Sequence, residues 1–194
     1  LFVSYYLCQG FLRGGVGDEW PFATLAEQGI SSLCINSPRA FTLDAVARYG
    51  QGLSAVESIV DLLVEEDKVD PAKIGMGGLS FGSEVTLWTA METDRLAAAS
   101  VTSPVISPNY YLFSGLKGDA FTDGLNEAWG LGAPGDTPER WRMLSPTENL
   151  SRFGAPILFQ MPEQEYIYAL DYAIPLMQRS LADMYVFANE PHQK

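Results

Sequence analysis

The chain has 194 residues, of which 47% are hydrophobic and 19% charged, a composition that suits one globular domain with a buried core. Its net charge of −12 comes without a basic stripe, so we predict no nucleic-acid partner. Every apolar run is shorter than the ~18 residues that span a membrane, so we predict no membrane partner.

Residue types that bind metals or form disulfides are scarce. The two cysteines, Cys8 and Cys34, are too few for a disulfide framework, and we expect both to be small buried apolar residues. A single histidine in the whole chain argues against a structural zinc site. We therefore predict neither a metal nor any other cofactor.

Strands and helices alternate along the chain. Strands are predicted at residues 1–6, 30–36, 74–79, 97–103, 155–161 and 184–189. Helices are predicted at residues 20–29, 54–66, 84–91 and 169–176. Six strands joined by helical crossovers predict an α/β fold with a mostly parallel sheet and helices on both faces.

Residues 108–153 interrupt this alternation between two predicted core strands. The segment is rich in glycine, asparagine and aromatic residues, as in "GLNEAWGLGAPGD". Long insertions of this kind often form a lid or a wall over a site. The alternative is a surface excursion with short helices, such as one that "SPTENL" would begin with a capping box. Both interpretations stay open.

The stretch "IGMGGLSFGSEVTLW" carries a G-x-S-x-G motif centred on Ser80, between a predicted strand and a predicted helix. In a nucleophile elbow this turn holds the serine in a strained backbone conformation and exposes its hydroxyl. Glycines flank the serine because a side chain there would collide with the neighbouring strand and helix. The alternative is a glycine-rich turn whose serine caps a helix. Ser80 is therefore a candidate nucleophile.

A serine nucleophile needs a base and an acid that orients the base. In this fold the expected chain order is serine, then acid, then histidine. His192 follows the last predicted strand in "NEPHQK", although a lone histidine is also common on surfaces. Glu163 and Glu165 both follow the strand before it, and one of them can be an ordinary loop carboxylate. The residues alone do not separate these two acids.

The oxyanion of such a reaction needs hydrogen-bond donors. The backbone N–H of Phe81, the residue after the candidate nucleophile, is one. A second comes from the loop after an early strand, where Tyr6 ends "LFVSYY" and offers its phenolic O–H. The alternative is that Tyr6 is an amphipathic aromatic at a strand end, which is common.

These residues resemble the catalytic domain of prolyl-oligopeptidase-type serine peptidases. The pattern "DPAKIGMGGLSFG" matches that family around its nucleophile, and the resemblance covers nearly the whole chain. It implies an α/β-hydrolase fold in which Ser80, Glu165 and His192 form the triad and Tyr6 donates to the oxyanion. Glu165, rather than Glu163, takes the family's acid position in an ungapped alignment.

Three departures from that family point to one branch of it: "YYLCQGFLRGG" replaces the usual Tyr-Gly-Gly, Met161-Pro162 replaces the His-Gly before the acid, and the acid is Glu instead of Asp. The segments "GFLRGG", "GGLSFGSEVTLW" and "MPEQEY" resemble lasso-peptide isopeptidases. The resemblance implies hydrolysis of the isopeptide bond that closes the ring of a threaded peptide, giving a linear product. It makes Arg13 a candidate substrate contact, the alternative being a structural loop arginine. An ordinary peptidase or esterase, and a non-catalytic binding domain, are the other function classes that remain open.

The resemblance also implies parts that lie outside this chain. The family carries an N-terminal β-propeller over the active site and a closing helix after the histidine. We therefore expect residues 1–194 to be a fragment comprising one catalytic domain with its insertion at 108–153. The expected partners are a lasso-peptide substrate and the β-propeller of the same protein. A bacterial, cytoplasmic location is favoured.

Overall fold

A parallel sheet forms the centre of the computed structural model, which describes residues 1–8, 22–38, 43–104, 106–115, 119–190 and 192. Within these ranges the sheet has six strands in the order β2-β1-β3-β4-β5-β6, and every neighbouring pair is parallel. The strands are β1 (Phe2–Tyr6), β2 (Ser32–Asn36), β3 (Gly75–Leu79), β4 (Ala98–Thr102), β5 (Ile157–Pro162) and β6 (Ala182–Phe187).

Helices surround this sheet and supply its crossovers. They are α1 (Phe22–Glu27), α2 (Ala45–Glu65), α3 (Phe81–Glu92), α4 (Pro108–Gly115), α5 (Asp119–Trp129), α6 (Pro138–Leu144) and α7 (Leu170–Gln178). Two 3-10 helices cover Pro146–Arg152 and Tyr166–Ala169. The predicted α/β fold with a parallel sheet is confirmed. No helix in the described ranges is long and apolar enough to cross a membrane.

Helix α2 begins earlier than the predicted helix at residues 54–66. Its N-cap is Asp44, whose side chain accepts a hydrogen bond of 2.9 Å from the N–H of Ala47. The early part of α2 contains Gly52, and glycine is a poor helix former. The periodic apolar pattern therefore did not predict that the helix extends through this residue. Gly52 serves close packing, because a Cβ there would lie 2.6 Å from Cγ1 of Val85 on α3.

The expectation for the two cysteines is wrong. Cys8 and Cys34 form a disulfide, and neither is fully buried. The pairing follows from the sheet, because β1 and β2 are adjacent and their register places Tyr6 beside Asn36. The side chain of Asn36 also accepts a hydrogen bond of 3.1 Å from the N–H of Cys8. A pair of cysteines gives no such signal until the strand order is known.

The segment between β4 and β5 contains α4, α5, α6 and the 3-10 helix Pro146–Arg152. The predicted capping box of "SPTENL" does not form, since Ser145 makes no side-chain cap hydrogen bond. Instead Nδ2 of Asn149 donates to the carbonyl oxygen of Ser145 at 2.9 Å. The segment packs on the sheet domain through buried residues such as Trp141, whose Nε1 donates to Gly132 at 2.9 Å.

Candidate active site

The strand order creates one switch point in the sheet. From β1 the chain moves outward to β2 and then crosses back, so that β3 lies on the other side of β1. In open α/β sheets, ligands bind beyond the carboxyl ends of the two strands that flank such a point. Tyr6 is the last residue of β1, and Ser80 directly follows β3. Two predicted site residues therefore lie where this fold places its sites.

The backbone of Ser80 has the strained geometry of a nucleophile elbow. Its φ of 53° and ψ of −122° fall in a region that residues with a side chain rarely adopt. The turn is fixed by a hydrogen bond of 2.9 Å from the N–H of Ser80 to the carbonyl of Thr102 on β4. Ser80 is followed at once by α3, and its side chain is half-buried.

The two glycines of the motif are required by close backbone approach. A Cβ on Gly78 would lie 2.1 Å from the carbonyl carbon of Gly82. A Cβ on Gly82 would lie 2.6 Å from the carbonyl oxygen of Tyr5 on β1. Neither contact can be relieved by a side-chain rotation, because backbone atoms form both. This tight turn brings the start of α3 against the end of β1.

Glu165 and His192 are joined by a hydrogen bond. Nδ1 of His192 lies 2.9 Å from Oε1 and 3.0 Å from Oε2 of Glu165. The exposed side-chain fraction is 12% for the glutamate and 32% for the histidine, so the carboxylate is the more sheltered partner. The two residues follow the adjacent strands β5 and β6. A carboxylate on Nδ1 leaves Nε2 as the ring nitrogen able to accept a proton.

Glu163 makes a different set of contacts. Its Oε2 accepts a hydrogen bond of 2.9 Å from the backbone N–H of Asn189. Its own N–H donates to the carbonyl of Phe187 at 3.0 Å. The sequence left the choice between the two acids open, and the contacts now distinguish them. Glu165 contacts the imidazole, and Glu163 contacts the loop that carries it.

Tyr6 and Phe81 lie against each other beside the elbow. Their ring centroids are 5.1 Å apart in an edge-on arrangement. Tyr6 has a φ of 130°, a conformation that side chains rarely adopt, and its carbonyl accepts a hydrogen bond of 2.9 Å from Ser37. Phe81 is the first residue of α3, where a backbone N–H has no acceptor within the helix. Tyr6 thus packs against the residue that follows Ser80, and donation to an oxyanion by its O–H and by the Phe81 N–H stays a prediction.

The hydrogen bonds of the described residues do not include one from Ser80 Oγ to the His192 ring. The structure thus brings Glu165 to His192 and Tyr6 to the elbow, and leaves the serine–histidine step as a prediction. Arg13 lies outside the described residues.

Sequence reasoning missed an aromatic cluster around the residue after Ser80. The guanidinium carbon of Arg48 lies 4.5 Å from the ring centroid of Phe81 and 4.1 Å from that of Trp129. Such cation–π contacts are attractive and directional. Trp129 ends α5 in the segment after β4, and Arg140 of the same segment pairs with Asp44. The segment is therefore docked on the same helix, α2, that supports the elbow helix.

A buried carboxylate also escaped prediction. Glu84 is 3% exposed and lies in the first turn of α3, one turn after Ser80. The hydroxyl of Tyr49 donates to its Oε2 at 2.6 Å. Burial and the neighbouring Glu84 raise the pKa of Tyr49 well above its ordinary value. Glu84 lies on a helix that is buried on all sides, and a carboxylate there must have hydrogen-bond partners. An acidic residue within a mostly apolar helix was the signal that could have predicted such a contact.

The chain is similar over its whole length to the lasso peptide isopeptidase AtxE2 of Asticcacaulis excentricus. The two are 32% identical over 100% of this chain, which spans 30% of the length of that relative. A solved structure of AtxE2 isopeptidase with Astexin3-dC4 bound superposes with a TM-score of 0.84 at 28% identity, covering 100% of this chain and 32% of that one. No family model matches the chain.

The resemblance to lasso-peptide isopeptidases that the sequence motifs indicate is confirmed in sequence and in structure. An acylaminoacyl peptidase of Pyrococcus horikoshii shares the fold, with a TM-score of 0.65 at 17% identity over 98% of this chain and 32% of that one. The chain therefore has the α/β-hydrolase fold that the sequence predicts. The chain spans about a third of the length of AtxE2, so the activity of the whole protein is treated below as a proposal.

Proposed function

We propose that this chain is the catalytic domain of a serine isopeptidase that opens the ring of a lasso peptide. The observation that carries the proposal is the 32% identity to a lasso peptide isopeptidase over the whole chain. The strained backbone of Ser80 and the contact between Glu165 and His192 support a serine hydrolase. A non-catalytic binding domain would have no need to keep this strain.

In the proposed reaction, His192 Nε2 takes the proton of Ser80 as Oγ attacks the carbonyl of the isopeptide bond. Glu165 holds the imidazole in the required tautomer and stabilises the imidazolium that forms. The N–H of Phe81 and the O–H of Tyr6 donate to the tetrahedral oxyanion. Loss of one such donor typically costs about 10²–10³ in rate.

The tetrahedral intermediate collapses when the C–N bond breaks. The leaving group is the former N-terminal amine of the peptide, and the imidazolium supplies its proton. The carbonyl carbon of the Asp or Glu side chain stays on Ser80 as an ester, so the opened peptide remains bound through that side chain. Water, deprotonated by His192, then cleaves the ester and restores the serine. The net change is the addition of one water and the release of a linear peptide.

Selectivity for the isopeptide bond has to come from the shape of the threaded substrate, because the triad chemistry acts on any amide. We propose that the insertion at 108–153 forms one wall of the substrate site and that Arg13 contacts the peptide. The docking of Trp129 and Arg140 on α2 supports a fixed wall rather than a loose excursion. A β-propeller of the same protein is the proposed cover.

The proposed compartment differs from the first expectation. Disulfides persist in oxidising compartments and are rare in the cytosol. The bond between Cys8 and Cys34 therefore argues against the cytoplasm that the sequence favoured. We propose that the protein works in an oxidising compartment such as a bacterial periplasm.

The test is intact mass spectrometry of a threaded lasso peptide incubated with the whole protein that contains this chain. We expect the peptide to gain one water, and Ser80→Ala to abolish the gain. A proline-containing peptide serves as the competitor substrate. Cleavage of that peptide with an untouched lasso peptide would contradict the proposed substrate and favour a general prolyl-oligopeptidase-type peptidase. Ser80→Ala with full activity would contradict the proposed nucleophile.

A further inference from the structure

We propose that Glu163 is a positioning residue that holds the loop after β6 so that His192 meets Glu165. This inference rests on the proposed function, because it assigns His192 the role of the base. Glu163 itself touches neither the imidazole nor the candidate nucleophile in the contacts described above. It acts through the backbone of the histidine loop.

The contacts of Glu163 hold that loop at two points. Its backbone N–H donates to the carbonyl of Phe187, the last residue of β6, at 3.0 Å. Its carboxylate accepts from the backbone N–H of Asn189 at 2.9 Å. The second contact is the stronger kind, since hydrogen bonds to charged acceptors are worth more than neutral ones. The chain is thus fixed on both sides of residue 188 before it reaches His192.

Asn189 is the residue where the chain turns. Its φ of 60° is left-handed, a conformation that asparagine tolerates better than other residues with a side chain. A left-handed residue needs support from its surroundings to stay ordered. The carboxylate of Glu163 supplies that support at the N–H of the same residue. Loss of this contact would remove a constraint on the backbone only three positions before His192.

Glu163 and Glu165 lie in the same short turn after β5. The N–H of Glu165 donates to the carbonyl of Pro162 at 2.9 Å, which closes the turn after β5. One carboxylate of the turn therefore fixes the backbone of the loop, and the other fixes the ring at its end. A base must be held in a narrow range of positions to take a proton from a serine, so loss of the first contact should weaken the second.

The experiment compares variants of Glu163 in the whole protein by two readouts. The first is the rate of covalent labelling of Ser80 by a fluorophosphonate, which depends on the base but not on the peptide site. The second is kcat and KM for the lasso peptide. We expect Glu163→Ala to lower the labelling rate and kcat about fivefold with KM nearly unchanged, as for loss of one exposed hydrogen bond to a charged acceptor.

Two further variants separate the hydrogen bond from the charge. Glu163→Gln keeps an acceptor oxygen at the same reach and should restore most of the rate. Glu163→Asp keeps the charge but is shorter by one methylene, and should behave like Glu163→Ala. Gln164→Ala, at an exposed neighbour in the same turn, is the matched control and should match wild type.

Equal labelling rates and equal kcat for wild type and Glu163→Ala overturn the inference, as does a Glu163→Asp variant with the wild-type rate. Labelling that depends on Glu163 in a protein that leaves the lasso peptide intact supports the inference and contradicts the proposed substrate. A folded wild type that neither labels nor cleaves overturns both.

Discussion

Tyr49 donates a hydrogen bond of 2.6 Å to Glu84, and both side chains are buried. The contact joins α2 to the first turn of α3, the helix that directly follows Ser80. A buried carboxylate without this donor would carry a desolvation cost that the fold must absorb. The pair therefore stabilises the helix whose position determines the elbow.

Removal of the Tyr49 hydroxyl should destabilise the protein. We expect Tyr49→Phe to lower the free energy of unfolding by about 2 kcal/mol, because it removes a donor to a buried carboxylate. Denaturant unfolding followed by circular dichroism measures the change. Tyr172→Phe is the control, since that buried hydroxyl has no hydrogen-bond partner within the described part of the chain. An equal loss in both variants would contradict the assigned role of Glu84.

Alkaline pH should reveal the same pair. Burial and Glu84 raise the pKa of Tyr49 well above its ordinary value of 10.0, so the native state retains this proton after the unfolded state has lost it. Stability is therefore complete below about pH 10 and falls as the pH rises further. The fall should be shallower in Tyr49→Phe than in wild type when unfolding is measured from about pH 8 to pH 11. Parallel curves of stability against pH for wild type and Tyr49→Phe would contradict the raised pKa of Tyr49.

Asp171 should make the stability of the protein depend on pH in the acidic range. Burial raises the pKa of Asp171 above its ordinary value of 3.8, against lowering by the hydrogen bond that Thr147 donates to its Oδ2. The native state then binds the proton more tightly than the unfolded state, so stability declines as the pH rises from about 4 through the raised pKa. We expect Asp171→Asn to remove this decline while it keeps an acceptor for Thr147. Thermal unfolding at several pH values checks the slope, and an unchanged slope would refute the assignment.

The second glycine of the elbow should resist substitution. In Gly82→Ala the new Cβ meets the carbonyl oxygen of Tyr5 at 2.6 Å, so we expect a loss of about 1–3 kcal/mol in stability and slow labelling of Ser80. Gly50→Ala in α2 is the matched control, because a Cβ there has nothing within 4 Å. That control should gain about 0.5–1 kcal/mol from helix propensity and label normally. A tolerated Gly82→Ala would mean that β1 can move away from the elbow.

Reduction of the disulfide should affect both stability and rate. The bond between Cys8 and Cys34 closes a loop with a sequence separation of 26, for which chain entropy gives about 3–4 kcal/mol. Cys8 lies two residues after Tyr6, so we also expect slower labelling of Ser80 after treatment with a reductant. The variant Cys8→Ser/Cys34→Ser should show the same deficit and no further response to reductant. If reductant leaves the labelling rate of wild type unchanged, the disulfide does not determine the position of Tyr6.

Local patterns predicted most of this fold, and contacts between distant segments account for what they missed. The G-x-S-x-G motif is a local turn, so Ser80 and its strained backbone could be expected from five residues. The disulfide depends on β1 lying beside β2, and the separate contacts of Glu163 and Glu165 depend on where the loop after β6 runs. The early start of α2 depends on packing of Gly52 against α3, which no periodic pattern encodes.

The strand order has a consequence for the newly synthesised chain. The elbow is a local β–α unit, but Tyr6 packs against it only when β1 has inserted between β2 and β3, and the contact between His192 and Glu165 forms only when β6 has joined the far edge. Parallel strands pair through long crossovers, and such non-local contacts form slowly. The proposed activity therefore appears as the last step of folding. An unfinished chain carries the nucleophile without its base, and cannot cleave the peptides around it.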